Sequence, residues 1–166
     1  AIRAINQNFG LDIQDYVTVN FSAMAKIVDA FGGVNIDLTE EEVEQVNINM
    51  RDLAATSPDS MAGDVSTYAP LSAGEGVLLN GDEAVAYGRI RAIGNDNGRV
   101  ERQQEVLSAL LSKASSISKL EYPSIIQQLA PLCETSLTFD KMIGLAQIAL
   151  TGFDIERLSI PSDVEG

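Results

Sequence analysis

The spacing of hydrophobic positions changes along this chain. Residues Asp15 to Phe21, DYVTVNF, alternate apolar and polar side chains and are rich in β-branched and aromatic types, which predicts a strand. In the SAMAKIVDAFGGV that follows, Met24, Ile27, Val28 and Phe31 share one helical face, with Ser22 placed to cap the helix and Gly32 to end it. Alternation returns in VNIDL, Val34 to Leu38. Strand, helix and strand in that order predict an α/β fold, a central mixed β-sheet flanked by helices.

Thr39 and Glu42 then form a capping-box signature, and the acidic run TEEE suits the positive end of a helix dipole, so it reads as a solvated helix start. Residues 54 to 75 hold Ser, Gly, Pro and Asp without periodicity and read as a long surface loop. NGDEAVAYG, Asn80 to Gly88, predicts a short helix leading into an extended RIR. A strong helix is expected from Arg99 onward, with Asn95 or Asp96 near its cap. After it come a Pro-started helix at Pro123 to Leu132, a Thr138-capped helix at Phe139 to Leu150 and a final strand at Ile155 to Pro161. No repeat and no Gly/Ser/Pro linker divides the chain, so residues 1–166 read as one domain.

Composition removes several chemistries. With 166 residues, 45% apolar content and no apolar run near the eighteen or so residues of a membrane span, the chain reads as globular. It opens without Met on a helical composition, and reads as a piece of a longer protein. There is no histidine and a single cysteine, Cys133, which excludes a Ser-His-Asp triad, a Cys/His dyad, the usual zinc sites and an internal disulfide. Cys133 reads as a small apolar residue at a helix end. The formal charge of −13 argues against nucleic acid as a partner.

Against that charge, RIRAIGNDNGRVERQ masses Arg89, Arg91, Arg99 and Arg102, four of the chain's seven arginines. At helical spacing Arg99, Arg102, Gln103, Val106 and Leu110 share a stripe, apolar in its later turns, so the first-turn cations point toward the core side. Cations in a first helical turn oppose the helix dipole and call for an anion. Arg89 and Arg91, two apart on an extended segment, project to one side, while Asp96 and Glu101 neutralise only part of the group. Two readings follow: a phosphate or pyrophosphate site built from guanidinium forks, an amide and a helix start, or a structural network in which the arginines pair with some of the chain's 24 carboxylates.

Gly74 to Lys113 resembles the signature of the LytR-CpsA-Psr family, L-x-G-x-x-A-[LV]-x-Y-x-R-x-R followed by D-x-x-R-x-x-R-Q. Its positions here are Leu78 or Leu79, Gly81, Ala84, Val85, Tyr87, Arg89 and Arg91, then Asp96, Arg99, Arg102 and Gln103. Asp15 to Glu42 and the ending ERLSIPSD are similar to other parts of the family, so the resemblance covers nearly the whole chain.

The resemblance implies an α/β/α domain outside the cytoplasmic membrane of a Gram-positive-type bacterium, anchored by a segment upstream. It implies transfer of an anionic glycopolymer, wall teichoic acid or capsule, from an undecaprenyl-pyrophosphate carrier to peptidoglycan, with Mg²⁺ as cofactor. Arg89, Arg91, Arg99, Arg102 and Gln103 would grip the pyrophosphate, with Arg99 also stabilising charge on the leaving phosphate. Asp96 would orient an arginine or accept the proton of the attacking hydroxyl. The family's S-I-P-R-D motif, which supplies an arginine and the metal-holding aspartates, is expected upstream. The SIPSD at Ser159 to Asp163 has Ser162 in place of the arginine and reads as an ordinary strand end. The chain is therefore expected to carry the lipid-gripping half of a site, and an unpaired sheet edge would favour a homodimer. The prenyl chain would lie in an apolar pocket that the sequence does not locate; Phe21, Ile27, Val28, Val106, Leu110 and Leu111 are apolar on elements near the site and read first as ordinary core. The alternatives are a non-catalytic polyprenyl-phosphate binding module and the transcriptional attenuator that the family's older label suggests.

Overall fold

The structure, a computed structural model, describes residues 2–56, 61, 69–118 and 120–150, except for the side chains of 95, 96 and 146–150. The expected strand at Ile155 to Pro161 and the SIPSD segment lie outside the described residues.

Helix α1, Ile2–Phe9, leads to strand β1, Val17–Thr18, only two residues long. The chain leaves β1 early because Asn20 turns to cap helix α2, Phe21–Ala30, its side chain accepting from Ala23 N at 2.8 Å. The cap is therefore Asn20 and not Ser22. Ile27 and Val28 of α2 are buried, while Met24 and Phe31 are half-buried against the core. Gly32 and Gly33 take φ of 75° and 86° and turn the chain into strand β2, Val34–Leu38. At Gly33 a Cβ would stand 2.6 Å from the Leu79 carbonyl oxygen, a second reason for glycine there.

Strand β2 alternates buried and exposed residues as expected. Helix α3, Glu40–Thr56, follows with the Thr39–Glu42 capping box in place: Glu42 N donates to Thr39 Oγ1 and Thr39 N to the Glu42 carboxylate, both at 3.2 Å. Strand β3, Gly74–Leu79, falls at the end of what the sequence reads as loop. It pairs antiparallel with β2, Val34 opposite Leu79 and Ile36 opposite Val77. Helix α4, Gly81–Gly88, is buried at every residue, and helix α5, Asn95–Ser115, starts ahead of Arg99, with Gly94 at its N-cap in the left-handed region (φ 73°). Helix α6, Tyr122–Leu129, a single 3₁₀ turn, strand β4, Glu134–Thr135, and helix α7, Phe139–Leu150, complete the described chain.

The α/β class holds, but β1 and β2 do not share a sheet among the described residues. β1 pairs antiparallel with β4, and β2 with β3. Helix α4 packs against α2, α3 and α5, and α5 against β2. The core runs through Val28, Val34, Val46, Leu79, Tyr87 and Ile90.

Candidate functional site

The site begins at the end of α4. Asn80 caps that helix in a full capping box with Glu83, and Ile90 is 1% exposed, anchored in the core just past its last turn. Arg89 has helical backbone angles, and its N–H and that of Ile90 still bond back to Ala86 and Tyr87. The expected extended RIR is thus a helix exit, in which the buried isoleucine leaves its two neighbouring arginines exposed. They still converge. Arg89 and Arg91 line one cleft of about 630 Å³ together with Phe21 of α2, Asn49 of α3, and Arg99 and Gln103 of α5. Arg99 and Gln103 are four apart and share a helix face.

Two amides fix the walls. Asn49 Nδ2 donates to the Ala86 carbonyl at 2.9 Å and Gln103 Nε2 to the Gly88 carbonyl at 3.2 Å, satisfying acceptors in the last turn of α4. The Arg89 guanidinium lies 5.3 Å from the centroid of the Phe21 ring, within cation–π range. Among the described residues neither Arg89 nor Arg91 has a carboxylate within 4.0 Å, and no carboxylate lines this cleft.

Arg102 is placed otherwise. It is 7% exposed; its Nε pairs with Glu42 Oε1 at 3.0 Å, and its Nη1 donates to the Ile93 carbonyl at 3.0 Å. Its guanidinium stands 5.9 Å from the Tyr87 ring centroid, and the Tyr87 hydroxyl donates to Glu105 Oε2 at 2.7 Å. Burial, and then Glu105, push the Tyr87 phenol above its ordinary range, so it stays a donor. Arg89, Arg91 and Arg99 therefore line a cleft, whereas Arg102 pairs with Glu42 and the Ile93 carbonyl outside it. Glu42 is accordingly more than a solvated helix start.

The helix dipole bears little on these arginines. Because α5 begins at Asn95, Arg99 falls in its second turn and Arg102 later, beyond the reach of the N-terminal dipole, and Gly94 supplies no side-chain cap. The Asp96 side chain lies outside the described residues. Asn49 escaped the sequence reading; its one signal is an asparagine, a weak helix former, in the middle of a long helix.

An apolar cavity of about 390 Å³ adjoins the cleft, sharing Phe21 and Gln103 with it and walled by Met24, Val85, Val106 and Leu107. Of the apolar residues expected near a prenyl pocket, Phe21 and Val106 line this cavity, while Ile27, Val28 and Leu110 belong to the core. Cys133 is half-buried against the core at the end of the 3₁₀ turn, and burial raises its thiol pKa.

Comparison with known proteins follows the same lines. The LytR_cpsA_psr family model matches residues 1–165. The chain is 27% identical over 164 residues to TagV and 26% identical over 170 residues to TagT of Bacillus subtilis (strain 168), each named a polyisoprenyl-teichoic acid–peptidoglycan teichoic acid transferase. These alignments cover 96% of this chain but only 38% of TagV and 48% of TagT, so the chain spans half or less of their length. The crystal structure of B. subtilis TagV matches with a TM-score of 0.63 and 27% identity, covering 89% of this chain and 50% of that one. A structure of TagT bound to LIIa-WTA matches in fold, with a TM-score of 0.67 at 24% identity over 90% of this chain and 50% of that one. Motif, fold and family match coincide over the same residues, and the chain belongs to the LytR-CpsA-Psr family.

Proposed function

We propose that this chain grips the diphosphate of a polyisoprenyl-linked teichoic acid for its transfer to peptidoglycan. The observation that carries this reading is the cleft of Arg89, Arg91, Arg99 and Gln103, which gathers cations and amides with no lining carboxylate among the described residues, in a chain of net charge −13. Guanidinium forks match the paired oxygens of a diphosphate, and the adjoining apolar cavity suits the first units of a prenyl chain. In the transfer the acceptor hydroxyl oxygen bonds to the sugar-linked phosphorus, the bridging P–O bond breaks, and a prenyl monophosphate leaves. The arginines, Arg99 among them, stabilise the negative charge that develops on that leaving phosphate, the main protein contribution in phosphoryl transfer. Asp96, three residues before Arg99, takes the proton of the hydroxyl or orients an arginine.

Mg²⁺ remains part of the proposal, but the donor set of the cleft does not fit it, being cationic and amide. No group of three or more His, Cys, Asp or Glu able to hold a metal exists among the described residues. No step here is routed through the metal. The reading places the domain on the outer face of the cytoplasmic membrane in a Gram-positive-type bacterium. No helix among the described residues is long and apolar enough to cross a membrane. Pairing of two copies through the edges of β2–β3 belongs to the same reading and is checked by sedimentation.

Calorimetric titration with inorganic pyrophosphate tests the grip. Hydrogen bonds to charged groups are worth about 1.5–3 kcal/mol, so Arg89→Ala and Arg91→Ala should each weaken binding by roughly 10- to 100-fold. Unaltered affinity in both variants, or no binding by the parent chain, would rule the cleft out.

A further inference from the structure

We infer that Arg102, the second arginine of D-x-x-R-x-x-R-Q, is a positioning residue that works through Glu42 and does not touch the anion. This rests on the proposed function only in its choice of ligand. The side chains of Arg102 and Glu42 are 9% and 14% exposed, so the pair is almost wholly withdrawn from water. The guanidinium spends Nε on Glu42 and Nη1 on the Ile93 carbonyl, and its face is turned to Tyr87. None of these partners lines the arginine cleft.

The arrangement fixes the segment that carries the grip. Ile90 is anchored in the core at one end, and the Ile93 carbonyl is held by Arg102 at the other, so Arg91 is borne on a span pinned at both sides. Glu42 meanwhile uses its other oxygen, Oε2, to accept from Thr39 N and Thr39 Oγ1 at 3.2 and 3.0 Å. A single carboxylate thus closes the α3 cap and, through Arg102, sets the height of the Arg89–Gly94 segment above α5. Gly98 leaves room for the clasp: a Cβ there would stand 2.8 Å from the Ile93 carbonyl oxygen and 3.2 Å from Arg102 Nη1. Lysine at 102 keeps the charge but cannot bridge the carboxylate and the carbonyl as a fork does.

Glu42→Gln separates the two roles by sign. Glutamine keeps a capping box available but breaks the ion pair. If Arg102 grips the anion, removing its competing carboxylate strengthens binding of inorganic pyrophosphate. If Arg102 positions, binding weakens three- to tenfold although a negative charge has been removed. Arg102→Met and the Glu42→Gln/Arg102→Met double variant should then match the single variant within twofold, and Gly98→Ala should weaken binding as well. Tighter or unchanged binding in Glu42→Gln, or losses that multiply in the double variant, would overturn the assignment. Amide hydrogen exchange over residues 89–94 keeps the question open to decision if the parent chain binds no pyrophosphate, a result that would count against the cleft itself. Exchange there should quicken at least fivefold in Glu42→Gln and in Arg102→Lys; unchanged exchange in both variants overturns the clasp.

Discussion

Glu83 shows what the burial of α4 asks of one side chain. It is 7% exposed and closes the Asn80 capping box, accepting from Asn80 N at 2.8 Å. Burial raises its pKa above the ordinary 4.5 and the bond to Asn80 opposes that rise, while Asp29 and Asp82 add to it. A carboxyl with a raised folded value is bound more tightly to its proton in the folded state. Its contribution therefore favours folding below pH 4.5 and is lost as pH climbs through the raised value. Glu83→Gln preserves the cap and removes the charge, so the variant should melt higher than the parent at pH 7 and no higher at pH 4. Paired thermal melts at the two pH values check this, and an equal difference at both would contradict it. At this scale the sequence masses the arginines but does not tell how they divide. Spacing puts Arg99 and Arg102 on one stripe, yet only partners distant in sequence, Glu42 for one and the cleft for the other, separate their tasks.

Elements with a local signal were legible. The alternation of Val34–Leu38, the Thr39–Glu42 box, the Asn80–Gly88 helix and the Thr138 start of α7 all hold. Elements whose reason lies elsewhere were not. Strand β3 reads GEGVLL, with two glycines and five of its six residues exposed or half-exposed, so it lacks the apolar alternation of a strand and exists by pairing with β2. The first turn of α5 is NDNG, a run of poor helix formers, started by a left-handed Gly94 that resembles a loop in sequence. Close approach of elements is equally silent. At Gly81 a Cβ would collide with the Ala25 carbonyl of α2, so Gly81→Ala, ordinarily a gain in a helix, should cost about 1–3 kcal/mol. Denaturant unfolding of the two proteins measures it, and a neutral result would mean that α2 and α4 can move apart.

For the molecule as a whole, the sequence and the structure agree on an acidic α/β fold in which three of the seven arginines gather at one cleft. The motif spacing located the cleft, but two of its walls, Phe21 and Asn49, come from helices far upstream, and only the packing of α2 and α3 on α4 brings them in. That construction has a consequence for thermostability. An anion seated in the cleft would bridge α2, α3, α5 and the exit of α4, so it would act as a non-covalent cross-link among four helices of one core. By mass action a ligand that binds only the folded chain adds about 2.7 kcal/mol to the unfolding free energy at a hundred times its dissociation constant. The melting temperature of the parent chain should thus climb with the logarithm of pyrophosphate concentration, and Arg89→Ala should flatten that climb. The cleft then makes occupancy itself a source of stability, and a chain with the cleft empty would be the form most exposed to heat and proteolysis.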